Sequence, residues 1–201
     1  MNGQMESLET ARLVIRPFIR DDLQAVHQIL DLELKDSDFG TKGTQTLIER
    51  EKWLQWTVLN YEQLSKLNQP PYGERAIVQK ESKKLIGICG FVPCLDCFEQ
   101  LCDYDQIGRE PLQSFATTEF GLFYTIANAY QGFGFATEAT SAMAIYAFEQ
   151  LHVKRVFATT TYANIASTNV MRKLGMNLKK NSHSKPSWLQ VIGILNSLKI
   201  N

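Results

Sequence analysis

A glycine-rich segment between an apolar strand-like run and a helical pattern is the strongest chemical signal in the sequence. It reads Tyr130-Gln131-Gly132-Phe133-Gly134-Phe135-Ala136-Thr137. Glycines at such a turn let successive backbone N–H groups and the positive end of a helix dipole point at one place, which suits a phosphate group. The segment lacks the third glycine of a dinucleotide fingerprint and the Gly-Lys-Ser/Thr ending of a nucleoside-triphosphate loop. These residues alone leave two interpretations open, a phosphate site and a tight turn without a ligand.

A second motif in the right order makes the first one more specific. Gln131 to Ala136 matches the Q/R-x-x-G-x-G/A loop of the GCN5-related N-acetyltransferase (GNAT) superfamily, and Asn164 to Met176 resembles the N-x-x-S/A and K-x-G-F/M segment that follows it in that family. Leu8 to Pro17 resembles the first strand of the branch that acetylates ribosomal-protein N-termini. The resemblance extends from Leu8 to Leu195, which is nearly the whole chain.

The resemblance implies acetyl-coenzyme A as the co-substrate. The loop amides would hold its pyrophosphate, and the strand before the loop would pair with the pantetheine arm after splaying from the strand at Arg155 to Thr161. Asn164 would contact the pantetheine or the thioester, and a backbone amide at Ile126 or Ala127 would polarise the thioester carbonyl. The predicted cofactor contacts are Thr125, Ile126, Ala127, Gln131, Gly132, Phe133, Gly134, Phe135, Ala136, Thr137, Asn164, Asn169 and Arg172.

Two of these residues also have a simpler interpretation. Asn164 is well placed to cap the helix that follows it, and the capping role is compatible with a cofactor contact. Arg172 and its neighbour Lys173 are equally typical of a solvated helix surface.

The proton-transfer groups are harder to assign because Met171 occupies the helix position where many relatives carry a tyrosine acid. A thioether has no proton to donate, so Ser167 is predicted to protonate or solvate the leaving thiolate. Glu119 and Tyr124 are candidate general bases on the strand that leads into the site, and side-chain alternation puts them on opposite faces. An exposed Glu119 without a catalytic role is the alternative.

Other conspicuous residues of the long helix are predicted to be structural. Glu138, in its first turn, is favourable there through the helix dipole. Met143, Tyr146, Ala147 and Leu151 recur at helical spacing and are predicted to pack in the core.

Four cysteines within a short stretch raise the question of a metal site. They are Cys89, Cys94, Cys97 and Cys102, and the three histidines, His27, His152 and His183, are remote from them. Cys89 lies in an apolar strand-like run whose side chains alternate between faces, which opposes a common metal site. The sequence therefore predicts no metal and four reduced thiols.

The pattern of elements predicts one α/β (α+β) domain with a mixed, mostly antiparallel sheet of about seven strands flanked by helices, as the resemblance also implies. The predicted strands are Arg12–Phe18, Arg75–Gln79, Lys84–Val92, Thr118–Ile126, Arg155–Thr161, Met176–Lys179 and Trp188–Leu195. The first predicted helix has Asp21 or Asp22 as its cap. The other predicted helices cover Leu47–Leu67, Ala136–Leu151 and Asn164–Leu174. Pro93 to Phe115 is predicted to be a loop with a short helix. The domain is predicted to span residues 8–196, between a flexible N-terminus, 1–7, and a tail, 197–201.

Composition excludes several other classes of protein. Lys plus Arg and Asp plus Glu each total 21, so the net charge does not favour nucleic acid as a binding partner. No apolar run approaches the ~18 residues that cross a bilayer, and the polar first residues do not resemble a secretory signal. We expect a cytoplasmic protein without a membrane or nucleic-acid partner, and both monomer and homodimer remain open.

The acceptor is the least determined part of the prediction. The segment from Pro93 to Phe115 contains Asp96, Glu99, Asp103, Asp105 and Glu110, so it is either an acidic rim for a cationic amine or a solvated insert. Trp53, Trp56 and Trp188 could line an apolar pocket, although such aromatics more often pack in the core. Two functions follow: an amine N-acetyltransferase that acts on a protein N-terminus or a small molecule, and a non-catalytic acyl-coenzyme A sensor.

Overall fold

The computed structural model describes residues 5–35, 44–70, 72–96, 117–181 and 187–197. In this part of the chain eight strands form one sheet. The strands are β1 (Leu8–Glu9), β2 (Leu13–Arg16), β3 (Glu74–Gln79), β4 (Leu85–Asp96), β5 (Thr117–Ile126), β6 (Arg155–Thr160), β7 (Asn177–Lys180) and β8 (Val191–Asn196). The described helices are α1 (Leu23–His27), which continues as a π-helical turn through Gln28–Glu33, α2 (Leu47–Lys66), α3 (Phe135–Glu149) and α4 (Ile165–Lys173).

The sheet is mixed and mostly antiparallel, as the sequence predicts. Its spatial order is β1-β2-β3-β4-β5-β6-β8-β7. Only β5 and β6 run parallel among the described pairs, and their connection contains α3, as a parallel crossover requires. The predicted fold class is confirmed, with eight strands instead of about seven because the two-residue β1 is too short to produce a recognisable pattern.

Helices cover both faces of the sheet, and each face has its own apolar core. On one face α3 and α4 pack through fully buried side chains such as Ala139, Met143 and Met171. On the other face α1 and α2 pack through Val26, Leu54 and their neighbours. The two layers enclose the central strands β4 and β5, which are therefore supported by apolar packing on both faces.

The core predictions for the helices are confirmed with small changes. Met143, Tyr146 and Ala147 are buried, and Leu151 is partly buried against the same cluster. Among the tryptophans, Trp53 packs edge-on against Phe18 with ring centroids 5.5 Å apart. Trp56 and Trp188 are instead 57% and 52% exposed, so packing in the core is wrong for these two.

Two predicted boundaries are wrong. β4 continues through Pro93 to Asp96, where a loop was expected. The reason is that β3 pairs with β4 no further than Gly90, so the missing N–H of Pro93 faces no partner strand there. Residues 97–116, which complete the expected loop and acidic rim, lie outside the described residues. Near the other end of the chain, Ser187–Leu189 form a 3-10 turn and the strand begins at Val191.

The start of the first helix also differs from the prediction. Asp22 does not cap α1 with its side chain. Its carboxylate accepts hydrogen bonds from the Ile19 amide at 2.9 Å and from both terminal nitrogens of Arg16 at 2.7 Å. The side chain therefore caps the preceding 3-10 turn, Arg20–Asp22, and anchors it to β2, instead of capping α1.

The environment of the cysteines bears on the question of a metal site. Cys89 is fully buried and burial raises the pKa of its thiol to about 12, so this thiol is held in its neutral form. Within the described ranges no three His, Cys, Asp or Glu side chains gather as metal ligands; Cys97 and Cys102 lie outside those ranges.

No helix among the described residues has both the length and the apolar composition needed to cross a membrane.

Candidate active site

The parallel strands β5 and β6 separate after only two paired positions. Phe120 pairs with Val156 and Gly121 pairs with Phe157, but β5 continues to Ile126 and β6 to Thr160. Each strand keeps its outer neighbour over this length, since β5 stays paired with β4 and β6 with β8. The result is a wedge-shaped opening in the middle of the sheet, and along its two inner edges the backbone pairs with no other strand among the described residues.

Backbone alternation shows which groups of β5 face this opening. The Ala127 amide donates to the Ile86 carbonyl at 2.8 Å, so it points toward β4. Because the N–H groups of a strand point alternately to its two neighbours, the amides of Tyr124 and Ile126 point into the opening. Of the two amides predicted to polarise a thioester, that of Ala127 is already used, and that of Ile126 is available.

The glycine-rich segment wraps around the end of β5 and leads into α3. Gly132 and Gly134 have φ values of 82° and 83°, a left-handed backbone that glycine adopts without strain. The first helical amides, at Phe135, Ala136 and Thr137, have no carbonyl one turn before them in the helix. The segment therefore presents backbone donors at the positive end of the α3 dipole, as the sequence predicts.

The side chain of Gln131 closes the near side of this segment. Its amide nitrogen donates to the Ile126 carbonyl at 2.9 Å and to the side-chain oxygen of Asn128 at 3.2 Å. Gln131 thus satisfies a carbonyl at the open edge of β5. This contact gives the predicted cofactor residue a local structural role.

A hydrogen-bonded pin ties the glycine-rich segment to the first hairpin of the chain. Glu138 accepts from the Thr10 hydroxyl at 2.5 Å, from the Arg12 amide at 2.8 Å and from the Arg12 guanidinium at 2.7 Å. Partial burial opposes ionisation of Glu138, but these hydrogen bonds and the Arg12 charge outweigh burial and lower its pKa. Glu138 is therefore structural, as predicted, although through side-chain partners more than through the helix dipole.

Arg12 also contacts the tip of the segment directly. One terminal nitrogen donates to the Phe133 carbonyl at 3.1 Å. The guanidinium carbon lies 4.4 Å from the centroid of the Phe135 ring, a cation–π arrangement. The conformation of the segment is thus fixed from outside, by a residue more than a hundred positions earlier in the chain.

The structure brings together two of the predicted catalytic residues, Tyr124 and Ser167. The Tyr124 hydroxyl lies 2.9 Å from the Ser167 hydroxyl and donates to the Ser167 carbonyl at 3.0 Å. Burial raises the pKa of Tyr124, and the hydrogen bond with Ser167 offsets only part of that effect. A tyrosine that keeps its proton beside the opening suits a proton donor better than the base predicted from the sequence.

The first turn of α4 positions Ser167. Asn164 caps this helix, and its side-chain oxygen accepts from the Ser167 amide at 3.0 Å. One turn further, Met171 is fully buried in the core. The helix position at which the sequence resemblance implies a tyrosine is thus filled by a core methionine, and a phenolic hydroxyl reaches the same helix from β5 instead.

Asn169 and Arg172 lie together on the exposed surface of α4. The Arg172 guanidinium donates to the Asn169 side-chain oxygen at 2.8 Å. Their contact with the cofactor stays a prediction, and the described structure shows only this hydrogen bond between the two side chains on the helix surface.

Glu119 lies apart from the other predicted catalytic residues. It forms an ion pair with Arg155 at 2.6 Å, one residue before the two positions at which β5 and β6 are paired. The register between β4 and β5 runs without a break, so Glu119 is on the face opposite Tyr124, as alternation predicts. Five residue steps along β5 place the two residues about 17 Å apart.

The other face of the sheet approaches the end of β5 through the π-helical turn. The Asn128 amide and side chain donate to the carboxylate and carbonyl of Glu33, both at 3.3 Å. The buried Arg50 guanidinium holds the same turn by donating twice to Asp31 at 2.8 Å. These contacts place an exposed carboxylate, that of Glu33, beside the residue that follows Ala127.

Sequence reasoning missed Thr10, Arg12, Glu33 and Arg155 as residues of this region. Each contacts a partner far away in the chain; the Thr10 and Arg12 contacts with Glu138 span 128 and 126 residues. No local pattern in a single sequence reports such a pairing. The exposed basic residue before the apolar alternation of β2 was the only available signal for Arg12.

Comparison with known proteins gives concordant results. A family model described as the acetyltransferase (GNAT) domain matches residues 12–177. A curated relative, the uncharacterized N-acetyltransferase YnaD of Bacillus subtilis strain 168, is 43% identical over 47 residues, which cover 23% of this chain and 28% of that protein. The matched part therefore spans less than a third of that relative's length.

Solved structures resemble the whole chain at low identity. The ribosomal-protein-S5-alanine acetyltransferase of Vibrio fischeri has a TM-score of 0.67 at 18% identity, covering 98% of this chain and 99% of its own. RimL in complex with coenzyme A has a TM-score of 0.66 at 15% identity, covering 96% and 98%. Mycobacterium smegmatis RimJ, solved with a coenzyme A disulfide, has a TM-score of 0.64 at 14% identity, covering 96% and 88%. At these identities the likeness establishes the fold.

Proposed function

Because the chain belongs to the GNAT acetyltransferase domain family, we propose that it transfers the acetyl group of acetyl-coenzyme A to a primary amine by direct attack in a ternary complex. The acceptor is a protein N-terminus or a small-molecule amine. The observation that carries this proposal is the opening between β5 and β6, with the backbone donors of the glycine-rich segment at its wide end and the Tyr124–Ser167 hydroxyl pair beside it.

The residues around the opening fit coenzyme A. The amides of Tyr124 and Ile126 face the opening and can pair with the pantetheine arm as a neighbouring strand would. The amides at the start of α3 can hold the pyrophosphate, and Ser167, whose amide is capped by Asn164, contacts Tyr124 of β5 from α4. Ordering both reactants in one cleft supplies a large part of the acceleration, because it removes much of the entropy cost of their encounter.

In the proposed mechanism Tyr124 supplies the proton that the leaving thiolate needs. Burial raises its pKa, so the hydroxyl stays protonated at neutral pH. Ser167 is hydrogen-bonded to that hydroxyl and orients it. Of the two amides that face the opening, those of Tyr124 and Ile126, one pairs with the pantetheine arm, and the other polarises the thioester carbonyl by donating to its oxygen as negative charge develops there.

Glu119 has a structural role in this proposal instead of a catalytic one. Its carboxylate is ion-paired with Arg155 beside the two paired positions of β5 and β6, which holds the closed end of the opening together. A carboxylate engaged in this way, and distant from Tyr124 along the strand, is a poor acceptor for the amine proton. The amine attacks in its neutral form and releases its surplus proton to solvent, and Tyr124 takes a proton back from solvent to replace the one that it gave to the thiolate.

One observation favours a second function, a non-catalytic acyl-coenzyme A sensor. Met171 replaces the family's tyrosine and is buried in the core. The Tyr124–Ser167 pair weakens this alternative, because it provides a hydroxyl that the sensor would not need. A sensor would bind acetyl-coenzyme A and leave it intact with every amine.

The test has two stages. Thermal unfolding is measured with acetyl-coenzyme A and free coenzyme A, with ATP and NADH as controls. At 100 times its dissociation constant a ligand stabilises the fold by about 2.7 kcal/mol, a readable shift. Thiol release is then followed with a panel of peptides and small amines, and the acetylated product is identified by mass. Stabilisation by both coenzyme A species with amine-dependent release supports the enzyme; stabilisation without release supports the sensor; no stabilisation refutes both.

A further inference from the structure

The tip of the glycine-rich segment carries an aromatic ring that the fold leaves open. Phe133 is 64% exposed, although exposing a large apolar ring has an unfavourable free energy. It stands between Gly132 and Gly134, both in the left-handed region. This backbone turns the Phe133 side chain away from the core while the neighbouring Phe135 is buried.

The ring is held in place although it is exposed. The Arg12 guanidinium donates to the Phe133 carbonyl at 3.1 Å, and an ion pair with Glu138 at 2.7 Å fixes the guanidinium itself. On the inner side, the Phe133 ring centroid lies 6.3 Å from that of Phe135 with a 38° angle between the rings. One flank of the ring is therefore supported, and most of the rest is available for contact.

We propose that Phe133 is a stacking platform for the adenine base of coenzyme A. This inference rests on the proposed function and names the part of the co-substrate that Phe133 recognises. If the amides that follow Phe133 hold the pyrophosphate, the adenosine is joined directly to it and must lie close to the tip of the segment. An exposed aromatic ring there gains stacking energy from a purine.

This assignment gives Phe133 and Arg12 different roles. Phe133 contacts the base, whereas Arg12 is a positioning residue whose charge is paired with Glu138 and whose hydrogen bond fixes the Phe133 backbone. The platform would make the adenine half of the molecule contribute to affinity. The chain would then discriminate coenzyme A from shorter phosphopantetheine carriers, which lack the base.

The experiment compares dissociation constants for three probes: coenzyme A, 3′-dephospho-coenzyme A, which keeps the adenine, and 4′-phosphopantetheine, which lacks it. Phe133→Ala should weaken both adenine-containing probes about tenfold, within the range found for loss of one base–aromatic contact, and leave phosphopantetheine unchanged. Phe133→Leu, which keeps apolar bulk, should show most of that loss, and Phe133→Trp should restore binding.

Ile145→Ala is the matched control, because Ile145 is 57% exposed on the outer surface of α3 and should alter none of the three constants. Wild-type affinity of Phe133→Ala for coenzyme A would overturn the proposal. Equal losses for all three probes would also overturn it, since they would indicate a distorted phosphate loop. If the wild-type chain itself fails to bind coenzyme A, the proposed function fails first and the stacking proposal with it.

Discussion

The candidate cofactor loop and the proton-transfer pair are built in different ways. The loop consists of consecutive backbone groups between Gly132 and Thr137, shaped by two left-handed glycines. The pair consists of two side chains, Tyr124 and Ser167, from elements 43 residues apart. A site made of backbone leaves its trace in a short stretch of sequence, because glycine spacing determines it. A site made of distant side chains is defined only by the fold.

The comparison also separates two kinds of energy in the proposed reaction. Loop amides contact a part of the co-substrate that does not change during transfer, so they contribute to binding. The Tyr124 hydroxyl meets charge that develops only as the thiolate leaves, so it contributes to the rate. Variants of the two regions should therefore affect different kinetic parameters.

The largest effect is expected for Tyr124→Phe, which removes the proposed acid. We expect kcat to fall about 100-fold, a typical contribution of a positioned acid, while the dissociation constant for acetyl-coenzyme A stays within about twofold of the wild-type value. In the wild type, the midpoint of any kcat loss at high pH that reflects Tyr124 should lie above the ordinary tyrosine pKa of 10.0, because burial raises the pKa of Tyr124. Steady-state kinetics across pH give both results.

Tyr61→Phe is the control for this prediction. This variant also removes the hydroxyl of a partly buried tyrosine. The Tyr61 hydroxyl donates to the Glu74 carbonyl and accepts from the Phe18 amide, and it does not contact Ser167. Tyr61→Phe should lower stability and leave kcat nearly unchanged. Equal kcat losses in the two variants would show that Tyr124 acts only through packing.

The next effect belongs to the loop, and the chain provides a matched pair for it. Gly132 and Gly175 have φ values of 82° and 79°, and a Cβ at either would meet no heavy atom within 4 Å. Alanine at either position is strained by about 1–2 kcal/mol. Both variants should lose similar stability, but only Gly132→Ala should weaken coenzyme A binding, about tenfold, because a side chain in the loop would hold the phosphate away from the backbone amides. Calorimetric titration and thermal unfolding separate the two outcomes, and equal binding by both variants would contradict a phosphate-holding loop.

These two regions show how far the sequence reaches. The loop, the cap at Asn164 and the opposite faces of Glu119 and Tyr124 could be predicted, since each depends on neighbouring residues or on strand alternation. The Tyr124–Ser167 contact could not, because the sequence offers both residues without showing that they meet. Because Met171 has no proton to donate, the sequence suggested that the site lacks a tyrosine acid. The fold instead brings the Tyr124 hydroxyl from β5 to the same helix. Glu119 drew attention as a carboxylate near the site, but its partner Arg155 is recognisable only in three dimensions.

A smaller effect is expected for Glu138→Gln, which weakens the pin between the loop and the first hairpin. The pKa of Glu138 in the folded chain is below its ordinary value of 4.5, so the carboxylate stabilises the fold fully above that value and loses this contribution as pH falls through the lowered pKa. The variant should therefore melt a few degrees lower at pH 7, and the difference from wild type should shrink below about pH 4. A difference that is the same at both pH values would show that ionisation of Glu138 contributes nothing.

The smallest effect is expected for Arg172→Ala. Its guanidinium is exposed and hydrogen-bonded to Asn169, and exposed charges contribute little. Affinity for coenzyme A should change less than about threefold. A tenfold loss, reduced at high salt, would instead make Arg172 a phosphate ligand and extend the cofactor site from the loop onto α4.

The most direct test of the account is a single-turnover measurement on the wild-type chain. Acetyl-coenzyme A is bound in the presence of excess protein, an amine is added, and the reaction is quenched at intervals so that free thiol, acetylated amine and acetylated protein are each quantified. The account predicts that thiol and acetylated amine appear together in equal amounts, only after the amine is added, with no acetylated protein at any time. Bound acetyl-coenzyme A that stays intact with every amine tested, or an acetyl group found on the protein before it reaches the amine, would contradict it.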